Sequence, residues 1–182
     1  YKICTDLTSS ILYKKHHIHI VIGSVLPIST NEIFKVEEQL AFNGEAKSLS
    51  QKREFEFLKE LACKYINSPY LWGGRSPFGI DCSGFSQNVF RMSGYSLPRD
   101  ARQQISHGEV IASLQDSEPG DLAFFNNSNG AINHVGIVFP ENKIIHASGR
   151  VRVDDLTEGG IIDHESGQQT HQLTAIKRIL KN

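Results

Sequence analysis

The segment Ile80-Asp81-Cys82-Ser83-Gly84-Phe85 carries the residue types best able to do chemistry in this 182-residue chain. Upstream, Tyr70 to Gly79 reads as a loop punctuated by Gly73, Gly74, Pro77 and Gly79. Downstream, Phe85, Val89, Phe90 and Met92 recur at near-helical spacing until Gly94, so a helix is expected to begin at Cys82 with Asp81 as its N-cap. A cysteine in the first turn faces free backbone N–H groups and the positive end of the helix dipole, which favours thiolate over thiol. Given a histidine as base, that thiolate is a strong nucleophile. The alternative is a small buried thiol that only packs.

Two histidines can be set beside it by strand parity. His134 to Phe139 reads as a strand and Lys143 to Ala147 as its hairpin partner. With Pro140-Glu141-Asn142 as the loop, Phe139 faces Lys143, and His134 and His146 become diagonal neighbours on one side of the sheet. A loop of even length would put them on opposite sides, so an odd loop is the expectation. His134 would take the Cys82 proton and return it to the leaving amine, and His146 would hold the far nitrogen of His134. As a neutral imidazole, His146 would orient more than it stabilises charge. His107, His164 and His171 lack such a context and read as structural histidines.

The elements that must position these groups follow an α+β order. Residues 1–47 look β-rich: Tyr13 to Ile22 alternates, with Ile18, Ile20 and Ile22 on one face, and a short strand from Ser24 to Ile28 follows Gly23. His16, His17 and His19 read as the solvated face of that strand, since no acid or thiol accompanies them. Asn43-Gly44 marks a turn and a boundary, with residues 48–182 as the main domain. There a helix from about Ser50 presents Leu58, Leu61, Ala62 and Tyr65 to the core and stops at Asn67-Ser68-Pro69; Cys63 packs beside that stripe. A short helix capped by Asp100 is expected to end near Gly108. Glu118-Pro119-Gly120-Asp121 is a turn, and further strands are expected at Leu122 to Phe125, Arg150 to Val153 and Leu173 to Leu180. Helices first and short strands after indicate an antiparallel sheet.

Composition narrows the function. A net charge of −1 gives no basic excess for nucleic acid or an anionic membrane, and no apolar run approaches the roughly 20 residues of a spanning helix. Cys4, Cys63 and Cys82 cannot all pair and form no CxxC unit, so neither a disulfide framework nor a zinc knuckle is indicated. No metal or organic cofactor is expected, because a thiolate supplies the chemistry. The chain begins at Tyr1 and is expected to be a trimmed product, which leaves compartment and oligomeric state open.

Taken together, Tyr70-x-Trp72-Gly73-Gly74, Asp81-Cys82-Ser83-Gly84-Phe85, Leu97-Pro98-Arg99-Asp100, Pro119-Gly120-Asp121-Leu122, His134-Val135-Gly136 and His146-Ala147-Ser148 closely resemble the NlpC-type cell-wall cysteine peptidases. The resemblance runs from about Ser50 onward. It implies a papain-like fold, with the nucleophile on a helix packed against the sheet that carries the histidines. It further implies a bacterial enzyme, cytoplasmic or of the cell envelope, that hydrolyses the bond between γ-D-glutamate and an L-diamino acid such as meso-diaminopimelate in peptidoglycan stem peptides.

The resemblance implies roles for Tyr70, near the oxyanion, and for Asp81 and Ser83, which flank the nucleophile. Asp100, eighteen residues after Cys82, falls where similar recycling-type enzymes bind the free amine of an N-terminal L-alanine. A buried carboxylate prefers such a cation and discriminates against an acylated amine, although Asp100 also reads as a helix cap. Arg99 either pairs with a substrate carboxylate or is solvated. Ala101 departs from the serine often found after that acid, which removes one substrate hydrogen bond. Residues 1–47 resemble the tail of the small Src-homology-like (SH3-like) barrels that precede such domains and wall off the cleft. Two other classes stay open at this point, a non-catalytic wall-binding module and a thiol acyltransferase. Within the peptidase class, action on intact cell wall is the alternative to recycling of free peptides.

Overall fold

A computed structural model describes residues 1–26, 34–35 and 39–181. Its N-terminal part comprises β1 (Lys2–Cys4), β2 (Thr8–Tyr13), β3 (His16–Val21), β4 (Val25–Leu26), β5 (Phe34–Lys35), β6 (Gln39–Phe42) and β7 (Ala46–Ser48). They form two small antiparallel sheets, ordered β4-β1-β7 and β3-β2-β6-β5. Tyr13 pairs with His16 across a two-residue turn, and Lys14 has φ 56° there. The expected single run from Tyr13 is therefore divided: Tyr13 ends one strand and His16 opens the next. Part of the strand expected at Ser24 to Ile28 lies outside the described residues. His16, His17 and His19 are exposed as expected, but so is Ile18 at 46%, so the apolar face expected from Ile18 through Ile22 is covered only from Ile20 onward. Cys4, Leu26 and Phe42 form a small core of their own, while Ile3 and Ile22 join the main one.

Three helices follow: α1 (Phe55–Lys64), α2 (Cys82–Met92) and α3 (Ala101–Gln104), with a two-strand ribbon, β8 (Arg75–Ser76) and β9 (Gly79–Ile80), before α2. α1 starts later than expected because the chain ahead of it is tied elsewhere. The Leu49 N–H donates to the Tyr1 carbonyl (3.2 Å) and the Arg53 N–H to the Ser93 carbonyl (3.0 Å), so neither belongs to a helical ladder. Leu58, Leu61 and Ala62 face inward as their spacing required, and Tyr65 meets Phe85 of α2 edge-on at 5.6 Å. Arg91 of α2 donates to the Gly23 carbonyl at 2.9 Å, which docks the N-terminal strands behind α2.

The remaining strands are β10 (Glu109–Ile111), β11 (Leu122–Asn126), β12 (Ile132–Phe139), β13 (Lys143–Ser148), β14 (Arg150–Thr157), β15 (Gly160–Ile162) and β16 (Gln169–Arg178). All pair antiparallel in the order β10-β16-β11-β12-β13-β14-β15, and β15 also pairs with β16, so six of them close into a ring. Alternation then sorts the side chains. Leu122, Phe124, Val135, Ile137 and Ile145 pack outward in the core shared with the helices, whereas Ala123, Phe125, Val138, Ile144, Leu156 and Ile161 fill the ring. The β12–β13 hairpin has the odd loop: Phe139 faces Lys143 and Ile137 faces Ile145, with Glu141 and Asn142 at positive φ. No helix among the described residues is long and apolar enough to cross a membrane.

Candidate active site

Asp81 fixes the start of α2. One carboxylate oxygen accepts the Gly84 N–H at 2.7 Å, which is the expected N-cap, and the other accepts the Gly73 N–H at 2.9 Å. Arg99 grips the same carboxylate with both nitrogens, at 2.8 and 2.7 Å, and donates to the Ser83 hydroxyl at 2.9 Å. Burial alone would raise the Asp81 carboxyl, but Arg99 and the two N–H groups hold it below the usual range. Arg99 is thus already committed to a partner. Glycine is required at position 84 by close approach: a Cβ there would lie 2.6 Å from the Gly74 carbonyl oxygen.

The Cys82 thiol lies against the main chain flanking His134, with Sγ 4.0 Å from the Asn133 carbonyl oxygen. Its acidity departs from the expectation. Burial pushes the thiol up and the Asp81 charge adds to that, outweighing the N–H groups of Val135, Ser83 and Cys82 itself. The helix start acts in the anticipated direction and loses to desolvation.

His134 and His146 do share a face. His134 Nε2 and His146 Nδ1 are 2.8 Å apart, with both residues buried. The line continues to a residue the sequence reading missed. His146 Nε2 lies 2.7 Å from Oδ2 of Asp154, which is 2 % exposed. Burial would raise the Asp154 carboxyl, but hydrogen bonds from His146, the His164 N–H and Arg152 hold it far below the usual range. A carboxylate can only accept, so His146 donates from Nε2. With one proton on each ring, His146 Nδ1 accepts from His134 Nε2–H, and the free lone pair of His134 is on Nδ1. Gly136 lies under the hairpin partner β13, where a Cβ would come within 2.6 Å of Ile144 Cδ1 and 3.0 Å of the His146 Cβ.

His171, read from sequence as structural, stacks on His134 with centroids 4.1 Å apart. Both escaped for the same reason: Asp154 and His171 lie just outside the strands expected at Arg150 to Val153 and Leu173 to Leu180. The tight Gly149 link, which pairs Ser148 with Arg150 and His146 with Arg152, could have extended the parity argument to Asp154. His107 and His164 stay peripheral, although the His164 main chain donates to Asp154 at 3.0 Å.

Burial pushes His134 well below 6.5, and neighbouring imidazoles add to this; His171 is pushed down to about 4, chiefly by burial. A histidine whose folded pKa is depressed binds its proton more readily when unfolded. Stability is therefore full above about 6.5, the unfolded value, and declines as pH falls toward the folded ones. The midpoint of thermal unfolding should drop steadily between pH 6.5 and 4.5; a midpoint constant over that interval would contradict the burial of neutral imidazoles.

A cleft of about 560 Å³ opens beside the thiol, lined by Tyr70, Trp72, Asp81, Cys82, Ser83, Arg99, Asp100 and Asn133 among others. Every described residue lining it falls between Tyr70 and Asn133, so none of the described residues among 1–47 is part of its wall. Burial raises the Tyr70 phenol, which keeps its proton for donation. Asp100 precedes α3, where the Gln103 side chain accepts from its N–H at 3.4 Å. Its carboxylate is 49 % exposed with Arg102 at 3.9 Å, a loose pairing that leaves it open to a cation from the cleft.

The NlpC/P60 family model matches residues 67–169. The gamma-D-glutamyl-L-lysine dipeptidyl-peptidase of Bacillus subtilis is 38% identical over 133 residues, which cover 68% of this chain and 45% of that protein. The probable endopeptidase p60 of Listeria innocua is 40% identical over 100 residues, covering 54% of this chain and 21% of that one. The chain thus spans less than half the length of these relatives. The crystal structure of an NlpC/P60 family protein from Bacillus cereus superposes with a TM-score of 0.79 at 20% identity, covering 97% of this chain and 62% of that one.

Proposed function

The chain belongs to the NlpC/P60 family, and from that premise we propose that it is a cysteine peptidase cleaving the γ-D-glutamyl–L-diamino acid bond of peptidoglycan stem peptides. The observation carrying this reading is the hydrogen-bonded line His134–His146–Asp154, borne by the strand whose main chain, at the Asn133 carbonyl, the Cys82 thiol lies against. Cys82 Sγ attacks the scissile carbonyl as His134 Nδ1 takes the thiol proton. N–H groups at the start of α2 and the Tyr70 hydroxyl donate to the oxyanion. His134 then protonates the leaving amine, leaving an acyl-enzyme. Water, deprotonated by His134, releases the acid and restores the thiol. The imidazolium formed in each half-reaction is balanced through His146 by the Asp154 carboxylate, so His146 does more than orient.

A buried thiol beside a neutral imidazole is a resting state without a preformed ion pair. Alkylation of Cys82 by iodoacetamide, followed on its own peptide because Cys63 is exposed rather than packed beside the α1 stripe as expected, should accelerate continuously from pH 6 to above 9. A rate plateau already reached below pH 7 would mean that the thiolate is preformed.

For the substrate, we read Asp100 as the acceptor of a free N-terminal amine, which favours short recycled peptides over intact wall. The dipeptidyl-peptidase name of the B. subtilis relative agrees, and it makes L-lysine a diamino acid to test beside meso-diaminopimelate. Arg99 acts here by holding Asp81 and Ser83 rather than by binding substrate, and we read the described strands among residues 1–47 as an SH3-like segment docked behind α2. The deciding experiment is hydrolysis of L-Ala-γ-D-Glu-meso-diaminopimelate, its L-lysine counterpart and their N-acetylated forms, with Cys82→Ala as the blank. Cleavage restricted to free-amine peptides and weakened in Asp100→Asn is the expected result. Equal cleavage of acetylated peptides would transfer the reading to a wall hydrolase, as the p60 relatives are named. No cleavage of any would remove the peptidase.

A further inference from the structure

The three imidazoles of the ring have a second chemistry besides proton transfer. One ring nitrogen from each of His134, His146 and His171 falls within 4.8 Å of the other two. Each ring carries a distinct environment. His146 is anchored from behind by Asp154 at 2.7 Å, the outer carboxylate that fixes a ligating imidazole and raises its basicity. His171 has the Thr170 hydroxyl 2.8 Å from Nδ1 and is only partly buried, so its edge offers an approach from solvent.

We propose that His134, His146 and His171 form a site for a divalent zinc-class ion, and that filling it disables the relay. Imidazole is a good donor for such ions, with metal–nitrogen bonds of about 2.0–2.1 Å. Tetrahedral donors around one ion then lie about 3.3 Å apart. The 2.8 Å His134–His146 pair must open by several tenths of an ångström, and the His171 ring must turn from its stack to close the third bond. The ion takes the place of the proton between His134 Nε2 and His146 Nδ1, that proton moves to His134 Nδ1 so that both rings ligate as neutral imidazoles, and a water completes the fourth position. A His134 held this way loses the link through which Asp154 balances its positive charge. The inhibitory half of the proposal rests on the peptidase reading; the binding half does not.

The test is titration of ZnCl2 into Cys82→Ala, which removes the thiol as a competing ligand, with and without His171→Phe. The phenylalanine keeps an aromatic ring against His134 and removes the donor. Expected are one ion per Cys82→Ala chain, visible d–d absorption on Co2+ substitution without a sulfur charge-transfer band, and at least about tenfold weaker binding in Cys82→Ala/His171→Phe. In the wild type the same zinc concentrations should inhibit hydrolysis, relieved by chelator. Loss of binding in Cys82→Ala would assign the ion to the thiol and overturn the proposal. Equal affinity in the presence of His171→Phe would assign it elsewhere, the exposed His16, His17 and His19 first, and would overturn it too. Zinc binding is read by calorimetry whether or not any peptide is cleaved, so its failure and that of the peptidase reading are separable.

Discussion

Asp154→Asn should lower kcat by about 10²–10⁴ while leaving KM little changed. The substitution preserves volume but reverses the direction of the relay. An asparagine can present its NH₂ group to His146 Nε2, which must then accept, so the proton of His146 sits on Nδ1. His134 Nε2 becomes the acceptor, its own proton moves to Nδ1, and the base is blocked on the side needed for the thiol. The carboxylate that balances the imidazolium is lost as well. Loss of the same kind, through a wrong tautomer, is known to cost a triad about 10⁴ in rate. Steady-state kinetics on the free-amine peptide, with unfolding midpoints to confirm an intact fold, would measure it. A kcat within about threefold of wild type would exclude Asp154 from the relay.

Removing Asp81 should damage the fold more than any other single change near the cleft. Its carboxylate caps α2, holds the Gly73 N–H of the preceding loop and neutralises Arg99, whose side chain is only 21% exposed. Asp81→Ala forfeits a cap worth about 1 kcal/mol and strands a half-buried guanidinium, and the sum is about 2–4 kcal/mol after allowance for partial exposure. For a chain of this size, that is a fall of roughly 5–15 °C in unfolding temperature. Much of the cost is the stranded charge, so Asp81→Ala/Arg99→Met should recover part of it. Urea denaturation of the single and double variants reads both values. A double variant less stable than Asp81→Ala would show instead that Arg99 acts through the Ser83 hydroxyl and the Gly74 carbonyl, to which it donates at 2.9 and 3.4 Å.

Local rules were sufficient wherever one short stretch decided the outcome. The Asp81 cap followed from residue type before an apolar helical stripe. The His134–His146 pairing followed from the parity of a three-residue loop, because one residue more or less would have reversed a face. What escaped depends on contacts remote in sequence. The Lys14–Lys15 turn carries neither glycine nor asparagine, so nothing local divides Tyr13 from His16. Asp154 and His171 enter the site only through the register of β14 and the pairing of β15 with β16. The thiol's acidity could not be read from its helix position, since burial opposes the N–H groups of Val135 and of the helix start and prevails.

The closure of the ring has a consequence for the order in which the protein becomes active during synthesis. The helix bearing Cys82 emerges first and both histidines of the hairpin follow, yet β16, through Arg178, pairs with β10, β11 and β15 at once. Until that strand has left the ribosome, the interior that holds His134, His146 and Asp154 away from water is open on one side, and His134 lacks the ring that stacks on it. A nascent chain therefore carries Cys82, His134, His146 and Asp154 before β16 encloses them. Within the ring, β16 is the strand whose arrival encloses groups made before it.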